Sequence, residues 1–157
     1  MKESTKKPDD AWSKFAVSII NLNGLIMRAG DGITQPIGQS SARWQVLARA
    51  FEPQTVAEMA RDMGHARQSV QRVADVLAKE GLVVYKDHPT NRRTKLVALT
   101  PEGQAVFKNI YMRQVEWSQQ IMTKLNPAQL VQIADALEGI GQILQADLTI
   151  NGSGEGE

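Results

Sequence analysis

Three stretches of this chain repeat apolar side chains every three or four residues, and no other feature narrows the possible folds so far. Trp12, Phe15, Ile19, Leu22 and Ile26 form the first stripe. Phe107, Ile110, Trp117, Ile121 and Leu125 form the second, with Gln114 as a polar break. Leu130, Ile133, Leu137, Ile140, Leu144 and Leu148 form the third. That spacing lines one face of an α-helix, whereas a half-buried strand needs strict alternation.

Three such helices carry more apolar surface than a small central unit can cover. Left bare, the stripes would make a large exposed patch, so self-association of the terminal helices is expected. With 157 residues, 42% of them hydrophobic, the chain can bury one ordinary core and add an oligomerisation element. Its longest apolar runs, Leu82–Tyr85 and Leu96–Leu99, are four residues each, so neither a transmembrane helix nor a membrane partner is expected. The charged segment Met1–Asp10 lacks the apolar stretch of a secretory signal, and cysteine is absent. Both fit a cytoplasmic protein, and the second excludes disulfides, thiolate metal sites and cysteine nucleophiles.

Between the outer helices the local signals are denser. Gly30-Asp31-Gly32 is expected to end the first helix, with a polar loop through Pro36 and Gly38 after it. Ser40 or Ser41 caps a second helix carrying Trp44, Leu47, Ala48 and Phe51, which Pro53 stops. Thr55-Val56-Ala57-Glu58 has the capping-box order and opens a short helix that Gly64 closes. A further helix is predicted from Ala66 to Lys79, with Val70, Val73 and Leu77 facing inward. Leu82–Lys86 and Lys95–Leu99 read as two strands of a hairpin with a polar, basic tip. Thr100-Pro101-Glu102 and Asn126-Pro127 are helix starts, because proline at the first helical position lacks an N–H that would be orphaned anyway.

The formal net charge is only +1, yet it is unevenly placed. Arg61–Lys95 holds eight basic against four acidic residues, while the chain from Asn126 onward has five acidic residues and no Lys or Arg. An anionic partner should meet the middle of the chain.

Two short helices joined at Gly64 form a helix-turn-helix candidate. The outward arc of the second presents Arg67, Gln68, Ser69, Gln71, Arg72 and Asp75. Glutamine can pair with adenine at N6 and N7, arginine can fork onto guanine at O6 and N7, and serine takes either role. The helix N-terminus adds oriented N–H groups that suit a phosphate. A merely solvated face would look similar, and the hairpin shifts the balance. Its tip sets Arg92 beside Arg93, with Lys95 close behind and few acids nearby. Arginine suits a narrow, electronegative minor groove. The residues read as DNA-binding are Arg67, Gln68, Ser69, Gln71, Arg72, Arg92, Arg93 and Lys95.

The run from Thr55 through Gly103 resembles the winged-helix core of MarR-type transcription regulators. Thr55-Val56-Ala57-Glu58-Met59-Ala60 is similar to the helix-turn-helix opening. Leu77-Ala78-Lys79-Glu80-Gly81-Leu82-Val83 is similar to the exit from the recognition helix. Asp87-His88-Pro89-Thr90-Asn91-Arg92-Arg93, with Leu99-Thr100-Pro101-Glu102-Gly103, resembles the wing. The wing signature of an acid, one residue, an arginine, five residues and Leu-Thr falls on Asn91, Arg93, Leu99 and Thr100. Asn91 stands where the family usually has aspartate, so a looser or less selective wing is expected.

The resemblance implies a mainly α fold with a small β-hairpin, in which a winged helix-turn-helix over 40–100 is flanked by dimerisation helices over 11–30 and 101–148. Residues 1–10 are expected to be flexible and 149–157 a disordered tail. It further implies a homodimer on a pseudo-palindromic operator in double-stranded DNA, with half-site centres about 10 base pairs apart. A repressor of this kind is released by a small aromatic or acidic effector between the dimer region and the winged helix. Trp44 and the facing residues of the first and fifth helices are read as core, and no effector residue is assigned. The alternative is a winged-helix module for a protein partner, with little DNA binding. No cofactor or metal is expected, since His65 and His88 are the only histidines and fall in no zinc spacing. No carboxylate dyad, nucleophile elbow or phosphate-binding loop points to an enzyme, and Gly152–Gly156 reads as tail.

Overall fold

The computed structural model describes residues 8–152. The elements run α1 (Pro8–Thr34), a 3-10 turn (Gln35–Ile37), α2 (Ser41–Arg49), β1 (Gln54–Thr55), α3 (Val56–Met63), α4 (Arg67–Lys79), β2 (Val83–Asp87), β3 (Lys95–Leu99), α5 (Pro101–Met122) and α6 (Pro127–Gly152). The chain packs as two compact units, one ending at Val115 and the other beginning at Glu116, so α5 crosses the boundary. None of the described helices is long and apolar enough to cross a membrane.

In the first unit, α2, α3 and α4 turn their apolar sides onto one another and onto the sheet. Leu47, Met59 and Leu77 are fully buried at the centre, with Val97 of β3 and Ile110 of α5 closing the core. The expected inner face of α4 is Val70, Val73 and Leu77; Ala74 is fully buried as well, while Val73 is only half-buried. The capping box forms as read: Glu58 N–H donates to Thr55 Oγ1 at 3.2 Å, and Thr55 N–H donates to Glu58 Oε2 at 2.7 Å. Gly64 then takes φ +63°, a left-handed conformation that costs a residue with a Cβ, and turns the chain from α3 into α4.

Thr55 N–H and then the Thr55 hydroxyl, which donates to Glu58 Oε2 at 2.8 Å, hold the Glu58 carboxyl below the usual carboxylate range. A carboxyl depressed in the fold stabilises it above the unfolded pKa, and that stabilisation is lost as pH falls through the folded value. Thr55→Ala is therefore expected to lower stability by about 1 kcal/mol near neutral pH. Urea denaturation should also show the gap between wild type and Glu58→Gln closing as the solution becomes more acidic than the ordinary carboxylate range.

Several boundaries differ from the reading of the sequence. The first helix does not end at Gly30-Asp31-Gly32 but continues to Thr34. Its glycine lies against α2, where a Cβ on Gly30 would sit 2.3 Å from Ser41 Oγ. Ser41 N–H donates to Asp31 Oδ1 and Ser41 Oγ donates to the Met27 carbonyl, both at 2.8 Å, so this stretch docks a helix instead of ending one. Ser40 is the cap, accepting from Arg43 N–H at 3.3 Å, and Phe51 lies beyond the end of α2, exposed, with its ring tilted 42° to that of Phe107. The hairpin gains a third strand. The antiparallel order is β1-β3-β2, with Gln54 opposite Val97 and Thr55 opposite Leu96. Across the hairpin, Val83 faces Leu99, Tyr85 faces Val97 and Asp87 faces Lys95.

Helix α1 already includes Pro8–Asp10, and α6 runs to Gly152, so each takes in part of a segment expected to be unstructured. The rest of those segments, residues 1–7 and 153–157, lies outside the described residues. In the second unit, Asn126 Oδ1 caps α6 by accepting from Ala128 N–H at 3.0 Å, with Pro127 at the first helical position.

Candidate nucleic-acid interface

Helix α4 owes its seat to its ends as well as to its buried face. At the C-terminal end, Arg43 of α2 grips Glu80 with both guanidinium nitrogens, and this pairing holds the Glu80 carboxyl below its usual range. At the N-terminal end, Ala66 occupies the cap and has no side chain to accept the first N–H groups. That end therefore presents donors and positive potential outward.

Arg67, Gln68 and Arg72 are exposed along the outer face. They border one depression of about 450 Å³ together with Gln71. A second cleft, of about 350 Å³, separates α4 from the wing, with Arg67, Gln71 and Asp75 on one wall and Tyr85, Arg93 and Lys95 on the other. The structure thus brings Arg67, Gln71, Arg93 and Lys95 around one space. Ser69, grouped with them from the sequence, borders a smaller hollow of about 70 Å³ beside Ala42, Gln45 and His65. Arg92 is exposed at the wing tip and lines neither cleft.

The wing turn is built from short local hydrogen bonds. His88 Nδ1 accepts from the N–H groups of Thr90 and Asn91 at 3.2 and 3.1 Å. Asn91 Oδ1 accepts from Arg93 N–H at 3.0 Å, the contact that an aspartate oxygen would make at the same place. The neutral amide therefore supplies the turn-forming acceptor while adding no negative charge beside Arg92 and Arg93. Lys95 is less free than the sequence implied: it pairs across the hairpin with Asp87, whose carboxyl is lowered by that contact. Among the described residues, Arg67, Arg72, Arg92 and Arg93 have no carboxylate partner. Four guanidinium groups without counter-charge on one helix and one wing form a surface that attracts polyanions.

Gln71 is held rather than free. Its Nε2 lies 2.8 Å from Asp75 Oδ1 and 2.8 Å from the Tyr85 hydroxyl, which itself donates to Asp75 Oδ1 at 2.6 Å. Sequence reading placed Tyr85 in an apolar run and missed this tie between helix and wing. Its one local signal was the i, i+4 spacing of Gln71 and Asp75.

A separate cavity of about 360 Å³ opens between α1, α2 and α5. Its walls include Met27, Trp44, Phe107 and Tyr111; Trp44 packs against the core as expected, half-buried, and its remaining face lines this cavity. Arg49 borders the same cavity, and its buried Nε has no hydrogen-bond partner among the described residues. No group of three or more metal-binding side chains occurs among the described residues.

Residues 45–94 match the model of the MarR family. The chain is 31% identical over 139 residues to the protein Rv2011c of Mycobacterium tuberculosis, covering 88% of this chain and 97% of that one. The fold is similar to that of CouR from Rhodococcus jostii RHA1 bound to p-coumaroyl-CoA, with TM-score 0.71 and 24% identity over 80% of this chain and 90% of that one. It is also similar to Staphylococcus aureus MarR in complex with salicylate and kanamycin, with TM-score 0.71 and 16% identity over 87% of this chain and 93% of that one.

Proposed function

Because the chain belongs to the MarR family, whose members are transcription regulators and not enzymes, we propose that it is a DNA-binding repressor acting in the cytoplasm as a homodimer. The observation that carries this reading is the surface around α4: Arg67 and Arg72 on the helix and Arg92 and Arg93 on the wing, all exposed and without carboxylate partners among the described residues. Each α4 enters a major groove, where Arg67, Gln68, Gln71 and Arg72 reach bases or phosphates, with Ser69 and Lys95 at the margins. Each wing lays Arg92 and Arg93 along the neighbouring minor groove. Two protomers related by a twofold axis read a pseudo-palindrome with half-sites about one helical turn apart.

The dimer is supported by apolar side chains that their own unit leaves bare. Ile20 on α1 is 69% exposed, and Ile143 and Leu148 on α6 are 71% and 72% exposed. A second copy would remove such surface from water. A small aromatic or acidic effector is the second part of the proposal. It is supported by the cavity beside Trp44, Phe107 and Tyr111, where Arg49 Nε–H lacks an acceptor, and by the salicylate and p-coumaroyl-CoA bound by the two similar structures. Such a ligand can act only by favouring one spacing of the two recognition helices over another.

One titration series tests the proposal. Duplex DNA from upstream of the protein's own coding sequence is titrated at 50 and 200 mM salt, with and without salicylate. Affinity is expected to fall by about 10³-fold or more between the two salts, as for a protein neutralising at least six phosphates. Salicylate is expected to weaken it further. Affinity indifferent to salt overturns the DNA reading, and indifference to salicylate removes this class of effector. Light scattering should give twice the 17.3 kDa chain mass. A monomer would leave the apolar faces for a different protein partner and favour the interaction-module alternative.

A further inference from the structure

The triangle of Gln71, Asp75 and Tyr85 decides which way the Gln71 amide faces. A glutamine free in a groove can present either end: its oxygen to an amino group, or its nitrogen to a keto oxygen or ring nitrogen. Here the nitrogen sits 2.8 Å from both an Asp75 carboxylate oxygen and the Tyr85 hydroxyl oxygen. The phenol has one proton, and it goes to Asp75 across 2.6 Å. Turning the amide over would set Oε1 against two acceptors whose shared proton is already committed. Burial and Asp75 keep the Tyr85 phenol protonated, and the Tyr85 and Gln71 hydrogen bonds keep the Asp75 carboxyl ionised. The arrangement also joins two elements, because Asp75 is one turn along α4 and Tyr85 is on the wing strand β2.

We propose that Asp75 and Tyr85 are positioning residues that lock Gln71 with its oxygen presented to DNA, making it a reader of amino-bearing bases. In the major groove the amino donors are adenine N6 and cytosine N4, while guanine and thymine offer oxygen acceptors at the corresponding place. One symmetric position in each half-site is therefore adenine or cytosine on the strand that α4 reads. Guanine and thymine are rejected there, because either would set oxygen against oxygen in a desolvated contact. This inference rests on α4 being the helix that meets DNA.

The test is selection from a randomised duplex library, followed by sequencing of the bound fraction, with the full-length protein and its variants. Gln71→Ala identifies the dependent position as the one whose preference disappears. At that position the wild type is expected to favour adenine and cytosine over guanine and thymine by about five-fold or more. Asp75→Ala and Tyr85→Phe are each expected to bring that ratio toward parity while leaving preferences at other positions unchanged. Gln71→Glu in the Asp75→Ala background should restore the bias, because a carboxylate only accepts. An unchanged ratio in both single variants overturns the assignment, as does a wild-type preference for guanine or thymine. A wild type that enriches no duplex fails at DNA binding itself, and the assignment falls with it. Weaker DNA binding in both single variants, with the wild-type ratio kept in both, shows a purely structural role and also overturns the assignment.

Discussion

Alanine at both Arg92 and Arg93, which removes four guanidinium groups from a dimer on DNA, is expected to weaken duplex binding by about 10³- to 10⁴-fold at 0.1 M salt and to flatten the salt dependence. The size follows from counterion release: each neutralised phosphate contributes a slope of about 0.9 in log affinity against log salt, close to a decade at 0.1 M. Both side chains are exposed and lack carboxylate partners among the described residues, so no internal attraction has to be broken before they meet DNA. The fold should not notice the change. The bond from Arg93 to Asn91 Oδ1 uses the backbone N–H, which alanine keeps, so stability should move by less than about 0.5 kcal/mol. A double variant whose slope matches the wild type would remove the wing from the contact. Lys95→Ala should cost much less, since that ammonium is already engaged with Asp87.

Leu77→Ala is expected to be the most damaging single change to the fold, at about 2–5 kcal/mol. Leu77 is fully buried on the inner face of α4, and alanine is no worse a helix former, so the loss comes from packing alone. For a chain of this length the midpoint of thermal unfolding should fall by roughly 5–20 °C, measured at fixed protein concentration. Gln68→Ala, on the exposed side of the same helix, should leave the midpoint within about 2 °C. If Leu77→Ala behaved like Gln68→Ala, α4 would not be seated as described. The pair also separates the two jobs of the helix, since Gln68→Ala should act on DNA binding and Leu77→Ala on the folded fraction.

The sequence by itself was sufficient for everything that adjacent residues settle among themselves. Thr55 and Glu58 are three residues apart and close their capping box with no help from the rest of the chain. Asn126 and Pro127 start α6 in the same way, and the polar stretch between two β-type runs becomes the wing turn. The basic middle and the outward arc of α4 follow from composition and helical periodicity, so the candidate arginines could be named before any coordinates.

Tertiary structure alone decided what depends on residues distant in the chain. Gly30 reads locally as a helix end, yet it is the gap that lets Ser41 approach, so α1 continues to Thr34. Gln54 and Thr55 are too few to signal a strand, and they become one because β3 offers an unpaired edge. Ser69 and Gln71 lie two residues apart on one helix, but the neighbours they meet come from α2 in one case and from the wing in the other. Whether an exposed polar side chain is free or held is a matter of partners 10 or 14 residues away, as Asp75 and Gln71 are from Tyr85. Periodicity states which way a side chain points, and only packing across elements states what waits there.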